Sequence, residues 1–348
     1  MCQELIRSET DPSLFYYVVK DKLCGIIALH VDDALYGGND RFDQDVIKPM
    51  MTRFQFGKVV EDEYRTLGWN VEHDNGNIYV SQADYIESRL NQLQIQQAGL
   101  HESKTKLTEE NKGLMRQQIG KLRWVSDQSR PDISYEELEL SMAASSPTVK
   151  DWKTSNKMIR ELKENDVKIK YKKLRRDKWY ISVFTDASVG KLPDGVSSAA
   201  GIIIFLSNGY RPKQKRDCCV LSWRSSKVKR VVSSSYDAEV LALSEGLEEA
   251  LVLRKLLLDM TRMDPNMLEI EAFCDNEDTI KALNMSKPYY KGKRIGIEVA
   301  KIKEMWTKGE VKTIQWVPGQ YQLADGLTKK EASRTPILEA IQNGSFMN

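Results

Sequence analysis

From Ile181 to Ser188 the chain alternates branched or aromatic residues with small polar ones, and the alternation stops at a carboxylate. A period of two predicts a strand that delivers Asp186 to the end of a sheet. Residues 199–206 and 220–223 are two further apolar runs, and the short connections between them predict an antiparallel meander. Ser233-Ser234-Ser235 then reads as a helix cap, with Asp237 three residues after Ser234 in a box-like arrangement. Val240, Leu243, Leu247, Leu251 and Leu258 give that helix a buried stripe. A strand over 268–274 ends at Asp275, and a short helix starts at once. An amphipathic helix over 295–306, a strand over 311–317, and a loop and helix from about Leu323 complete the order. The pattern predicts an α/β chain with a mixed sheet flanked by helices.

The first half is organised differently. Residues 14–38 predict a hairpin turning at Asp21-Lys22, its second apolar run interrupted by Asp32 and Asp33. Strand, Asn75-Gly76 turn, strand and helix start follow over 64–86. Residues 102–165 read as an amphipathic helical segment, and 163–178 are dense in Lys and Arg. The domain boundary falls near 176.

Composition changes this picture by exclusion. The 348 residues have room for two or three domains, and 41% hydrophobic with 29% charged residues marks a globular chain. The net charge of +2 conceals clustered basic residues, so it argues neither for nor against a polyanionic partner. Five cysteines, odd in number and without Cys-x-x-Cys spacing, point to a reduced, intracellular compartment (cytoplasm or nucleus) and away from a disulfide framework or zinc site. No apolar run reaches membrane-spanning length, so no membrane partner is expected, and the N-terminus has no leader pattern. The only histidines are His30, His73 and His101, which rules out a Ser-His-Asp triad or His-ligated zinc in the second half. Carboxylates remain: Asp186, Glu239, Asp275 and Asp325 arrive from separate elements, and hard oxygen ligands suit Mg²⁺ or Mn²⁺.

Several stretches carry a family resemblance. Thr185-Asp186-Ala187, Ser234-Ser-Tyr-Asp-Ala-Glu-Val-Leu-Ala-Leu, Phe273-Cys-Asp-Asn and Gln322-Leu-Ala-Asp-Gly-Leu-Thr-Lys resemble, in order, the acid motifs of copia-type retrotransposon ribonuclease H domains. His30-Val-Asp-Asp followed by Gly37-Gly38 resembles the Tyr-Val-Asp-Asp hairpin of reverse transcriptases. Residues 64–86 look like the segment after that palm, and Gln118–Val125, Ser129–Tyr135 and Asp151-Trp-Lys like the thumb and connecting region. The resemblance implies a ribonuclease H-like fold with a mixed five-stranded sheet over 177–332. It implies a truncated reverse-transcriptase palm over 1–100, a helical connection and basic linker over 101–176, and a tail over 333–348. It implies catalytic and metal-ligating roles for Asp186, Glu239, Asp275 and Asp325, with Asp32 (beside Asp33) as a vestigial polymerase metal ligand.

The physical reason for four acids is charge. A phosphodiester and an attacking hydroxide repel one another, and two divalent cations roughly 4 Å apart reverse that. Ending the central strand makes Asp186 the candidate bridge, with Glu239 and Asp275 completing one shell and Asp325 the other. The implied partner is an RNA–DNA hybrid, with other parts of a polyprotein also possible. Ser188, Ser235 and Asn276 are candidate sugar or phosphate contacts. Lys172, Lys173, Arg175, Arg176, Lys229, Arg230, Lys293 and Arg294 are candidate backbone contacts. Singly, each has a plainer reading: Glu239 as helix-terminus stabilisation, Asp275 as an N-cap, each basic residue as a soluble surface. Two departures stand out. His30 replaces the Tyr of the polymerase motif, and the loop Pro318-Gly-Gln-Tyr-Gln lacks the His that aids product release in some ribonucleases H. Polymerase activity needs a further palm Asp and fingers that are not in these residues. The readings are therefore a hybrid-cleaving nuclease or a non-catalytic, nucleic-acid-binding remnant.

Overall fold

In the computed structural model, which describes residues 5–175, 177–209, 215–285 and 292–347, the front of the chain is an antiparallel meander. Its strands are β1 (Leu5–Arg7), β2 (Leu14–Val19), β3 (Lys22–His30) and β4 (Asp33–Gly38), paired in that order. One face is covered where α1 (Asp40–Phe42), a π-helical turn and α2 (Lys48–Arg53) bring Phe42, Val46 and Ile47 onto Tyr17 and Ile27. Val31 takes a left-handed backbone at φ 53° to make the β3–β4 turn, which sets Asp32 and Asp33 out in solvent.

A second antiparallel sheet joins β5 (Glu63–Thr66), β6 (Trp69–Asp74) and β7 (Asn77–Ser81) to β8 (Ile169–Tyr171). Between β7 and β8 run α3 (Ala83–Arg89), α4 (Glu109–Gln128), α5 (Ser134–Ala143) and α6 (Val149–Glu164). Their apolar stripes meet in one core, with Met115, Ile119 and Leu122 of α4 against Met158, Ile159 and Leu162 of α6. The basic segment after α6 is thus partly an edge strand of this sheet.

The second half holds β9 (Trp179–Ser188), β10 (Ala199–Asn208), β11 (Arg216–Lys227), β12 (Leu268–Cys274), β13 (Thr313–Trp316) and β14 (Ser345–Phe346). The sheet order is β13-β12-β9-β10-β11-β14. The meander β9–β11 is antiparallel, and β12 pairs parallel to both β9 and β13. The helices α7 (Ser235–Thr261), α8 (Glu277–Asn284) and α9 (Lys293–Thr307) pack on one face. Residues 323–327 and α10 (Thr335–Asn343) cover the other. An antiparallel triple continued by two parallel strands, with helices on both faces, is the ribonuclease H-like fold.

Three expectations are corrected. Among the described residues the sheet has six strands, because β14 pairs with Arg216 and Asp217 of β11. Residues 333–347 are not a tail outside the domain: Ile337, Ala340, Ile341 and Phe346 are buried in the core, and residue 348 lies outside the described residues. The helix expected from about Leu323 is replaced by 3₁₀ turns at Gly319–Tyr321 and Asp325–Leu327. Leu327 and Thr328 carbonyls there accept hydrogen bonds from the Ser225 and Ser188 hydroxyls, at 2.6 and 2.8 Å, so side chains take backbone acceptors that a helix would use.

Candidate functional site

The parallel β9–β12 ladder runs from Leu268 opposite Trp179 to Phe273 opposite Phe184 and then ends. Beyond it both strands finish at carboxyl ends, the place where open α/β sheets bind ligands. Asp186 lies two residues past the last pair, and Asp275 follows β12 directly. Side chains alternate across the sheet, so Asp186 shares the face of Phe184, toward residues 323–328.

Two glycines set how closely the other acids approach. Gly201 pairs with Asp186 across β9–β10. A Cβ there would lie 2.7 Å from Leu327 Cβ and 2.9 Å from the Ala324 carbonyl, so only glycine lets the segment carrying Asp325 rest on the strands. Gly246 does the same for α7, since a Cβ would meet Thr185 Cγ2 at 2.8 Å. Two turns earlier on that helix, Glu239 reaches the strand end, where its Oε1 accepts the Ala187 N–H at 3.3 Å. Gln322 ties the last segment down by donating to the Thr185 carbonyl at 3.0 Å. The Trp316 indole donates to the Asp275 carbonyl at 3.0 Å.

Asp186 and Glu239 are buried, Asp275 and Asp325 half-buried. Burial, then the charges of Asp186 and Asp275, pushes the Glu239 carboxyl up to about 9. Burial, then Asp186, lifts Asp275 to about 6. Asp186 is raised by burial, against the opposing pull of Lys329 and Thr328. The Thr328 hydroxyl donates to Asp186 Oδ2, and Lys329 Nζ lies 3.4 Å from the same oxygen while pairing with Asp325 Oδ1. Burial works against the Lys329 charge, but Asp186 and Asp325 hold its ammonium above the usual range.

The donor chemistry fits a hard divalent cation. Carboxylate oxygens of Glu239 and Asp275 and the Cys274 sulfur lie within 4.8 Å of one another. Burial drives the Cys274 thiol well above its ordinary value, which keeps it a thiol and leaves the oxygens as donors.

The other sequence candidates divide. Ser188 is buried and spends its hydroxyl on the Thr328 carbonyl. Ser235 is exposed as the first residue of α7, whose N-cap is Ser234. Asn276 caps α8, accepting from Thr279 N at 2.9 Å, so Asp275 is not the cap. Lys229, Arg230, Lys293 and Arg294 are exposed. Arg230, Lys293 and Arg294 line one hollow with Ser233 and Asp237, and Arg230 also pairs with Glu298 at 3.1 Å. The run before β9 is largely spent: Lys168 pairs with Glu72 at 2.7 Å, Lys172 with Asp217 at 2.7 Å and Lys178 with Glu269 at 2.9 Å. Lys173 and Arg175 are exposed, and Arg176 lies outside the described residues. This run enters β9 at Trp179, seven residues and roughly 23 Å from Asp186 at about 3.3 Å per residue. Adjacency in sequence thus becomes opposite ends of a strand. Asp32 and Asp33 stay exposed on their turn. Sequence reading missed Lys329, Thr328, Gly201 and Gly246. The signal for Lys329 was present, a lysine four residues after Asp325.

No family model matches the chain. The retrovirus-related Pol polyprotein from transposon TNT 1-94 of Nicotiana tabacum is 22% identical over 345 residues, which cover 94% of this chain and 25% of that protein. A putative transposon Ty5-1 protein of Saccharomyces cerevisiae is 27% identical over 256 residues, 70% of this chain and 79% of that one. Over most of its length the chain is similar to retrovirus-related Pol polyproteins of Ty/copia-type transposons. The chain spans about a quarter of the length of the TNT 1-94 polyprotein. The secreted RxLR effector protein 161 of Plasmopara viticola is 31% identical over 136 residues, 38% of this chain and 85% of that one. Among solved structures, a foamy viral protease-reverse transcriptase in complex with RNA/DNA hybrid aligns over 90% of this chain and 39% of that one, at 9% identity and a TM-score of 0.46. The fold assignment rests on strand order, not on that likeness. Among the described residues, no helix is long and apolar enough to cross a membrane.

Proposed function

We propose that this chain carries a metal-dependent nuclease site that cleaves the RNA strand of an RNA–DNA hybrid, as one part of a retrotransposon Pol polyprotein. One observation carries the reading: Asp186, Glu239, Asp275 and Asp325, from four separate elements, gather at the carboxyl ends of β9 and β12. Bound there, two Mg²⁺ or Mn²⁺ ions would supply an activated water and charge stabilisation for the leaving 3′ oxygen. Asp186, at the end of the central strand β9, is the candidate bridging ligand, with Glu239 and Asp275 completing one shell and Asp325 the other. The Ala187 N–H and the Thr328 hydroxyl fix the carboxylates of Glu239 and Asp186 before any cation arrives. Burial first, and then repulsion within the cluster, raises the Glu239 and Asp275 carboxyls, and a bound cation would offset both.

The hollow lined by Arg230, Lys293 and Arg294 is the candidate backbone cradle, and exposed Lys229 borders it in sequence. A hybrid read by shape and 2′-hydroxyls needs cations along its phosphates rather than base contacts. Asp32 and Asp33, on their exposed turn, mark a vestigial polymerase position. The chain acts inside the cell in this reading, where reverse-transcribed nucleic acid is made.

One observation favours a second reading, a folded remnant that binds without cutting: Lys329 already pairs with Asp186 and Asp325. Incubation with a labelled hybrid and with the same RNA single-stranded, in Mg²⁺, Mn²⁺ or EDTA, separates the two. Metal-dependent cleavage of the hybrid alone is expected. Binding without cleavage in either metal leaves the remnant.

A further inference from the structure

We propose that Lys329 is a built-in counter-ion of the acid cluster, one that a divalent cation must displace before it can bind between Asp186 and Asp325. This rests on the metal-dependent reading above and adds the step that gates entry of the ion. Among the described residues, Lys329 is the one lysine or arginine ion-paired to any of the four acids. Its Nζ bridges two of them, lying 3.4 Å from Asp186 Oδ2 while pairing with Asp325 Oδ1. It therefore occupies the space in which those two carboxylates would share a metal.

The surroundings separate a removable ion from a permanent one. The Asp186 side chain is 2% exposed, whereas that of Lys329 is 36% exposed. The ammonium sits on a flexible four-carbon stem with a path to solvent, and among the described residues it makes no ion pair with a third carboxylate. The Asp186 carboxylate and the Asp325 backbone are held independently of it. The Thr328 hydroxyl donates its one proton to Asp186 Oδ2 and lies 3.1 Å from the Asp325 carbonyl. Gln322 and Gly201 keep the segment on the sheet. Withdrawal of Lys329 would leave the acids in place, with their charge uncompensated and open to a cation. Lys329 is thus a positioning residue: it offsets the charge of Asp186 and Asp325 in the metal-free chain and raises the cation concentration at which the site fills.

Calorimetric titration of the full chain with Mn²⁺ tests this. Lys329→Gln should bind Mn²⁺ roughly tenfold more tightly than the wild type, the scale of giving up two partly exposed ion pairs. In EDTA the same variant should melt several degrees lower, and adding Asp186→Asn should recover most of the loss. Lys329→Arg, whose fork grips carboxylates on two points, should bind Mn²⁺ more weakly than the wild type; if Lys329→Gln does not fold, this variant decides alone. Equal or weaker Mn²⁺ affinity in Lys329→Gln, or unchanged or tighter affinity in Lys329→Arg, overturns the counter-ion and leaves the metal site standing. No Mn²⁺ uptake by any of the proteins overturns both readings.

Discussion

Glu239 shows how much of the site's character comes from one residue's surroundings. Its carboxyl is lifted from an ordinary 4.5 to about 9 by burial and by Asp186 and Asp275. The folded chain thus binds a proton there that the unfolded chain releases near pH 4.5. The stabilising contribution is complete below the unfolded value and is lost as pH rises through the folded one. In EDTA, thermal stability should fall between about pH 5 and 9, by an amount of the order of a few kcal/mol. Glu239→Gln should flatten that fall, and Mn²⁺ should restore the wild type at the alkaline end. Melting curves across this range check it; an equal slope in both proteins would place the titration elsewhere. Asp237, two residues earlier, spends its carboxylate on the Ser233 N–H and hydroxyl, so it belongs to the cap and not to the cluster.

At the scale of elements, the strands around Asp186 and the long helix carrying Glu239 were legible because alternation, short loops and a serine cap are local signals. The last acid was not. Residues 323–330 have helical composition, but Ser188 and Ser225 take the Thr328 and Leu327 carbonyls and hold Asp325 in a 3₁₀ turn. That is a tertiary preference, invisible along the chain. β14 is two residues long and carries no alternation to read. Gly201 was equally silent, since its meaning lies in what passes over it. Gly201→Ala should lower stability by about 1–3 kcal/mol through overpacking against Leu327 and Ala324. It should cost cleavage as well, because Asp325 moves with that segment. Denaturant unfolding together with a rate measurement tests both; unchanged stability would mean that the segment shifts freely.

At the scale of the molecule, the three sheets are tied together by specific contacts. Ser8 and Tyr16 of the front of the chain donate to Asp259 of α7, at 2.9 and 2.8 Å, and Arg262 donates to the Tyr16 hydroxyl at 2.8 Å. The Trp223 indole donates to the Ser126 carbonyl at 2.8 Å, and Arg334 pairs with Glu136. Charge is distributed unevenly over this assembly. Neutralising Arg230, Lys293 and Arg294 together should reduce the slope of log K for hybrid against log salt by about 0.9 for each phosphate that is no longer neutralised. Neutralising Lys173 and Arg175, beyond the opposite end of β9, should leave the slope nearly unchanged. A reversed order would put the hybrid across the basic run instead of the hollow. The sequence showed both clusters, but only the fold separates one whose lysines are paired with Glu72, Asp217 and Glu269 from one that follows β11 at the sheet end to which β9 delivers Asp186.

The central claim is that the four converging acids cut RNA in a hybrid, and Asp186 bears it most directly. Single-turnover cleavage of a labelled hybrid in Mn²⁺ should be compared for wild type, Asp186→Asn and Asp237→Asn, with hybrid binding measured on the same preparations. Losing one well-placed electrostatic group commonly costs about 10²–10³ in rate, and a bridging ligand should cost at least that. Asp186→Asn should therefore lose cleavage by that factor or more while still binding hybrid, and Asp237→Asn, which alters the lining of the hollow but not the four acids, should cleave saturating hybrid at the wild-type rate. A wild type that binds hybrid but does not cut it, or an Asp186→Asn variant that cuts as fast, would contradict the account.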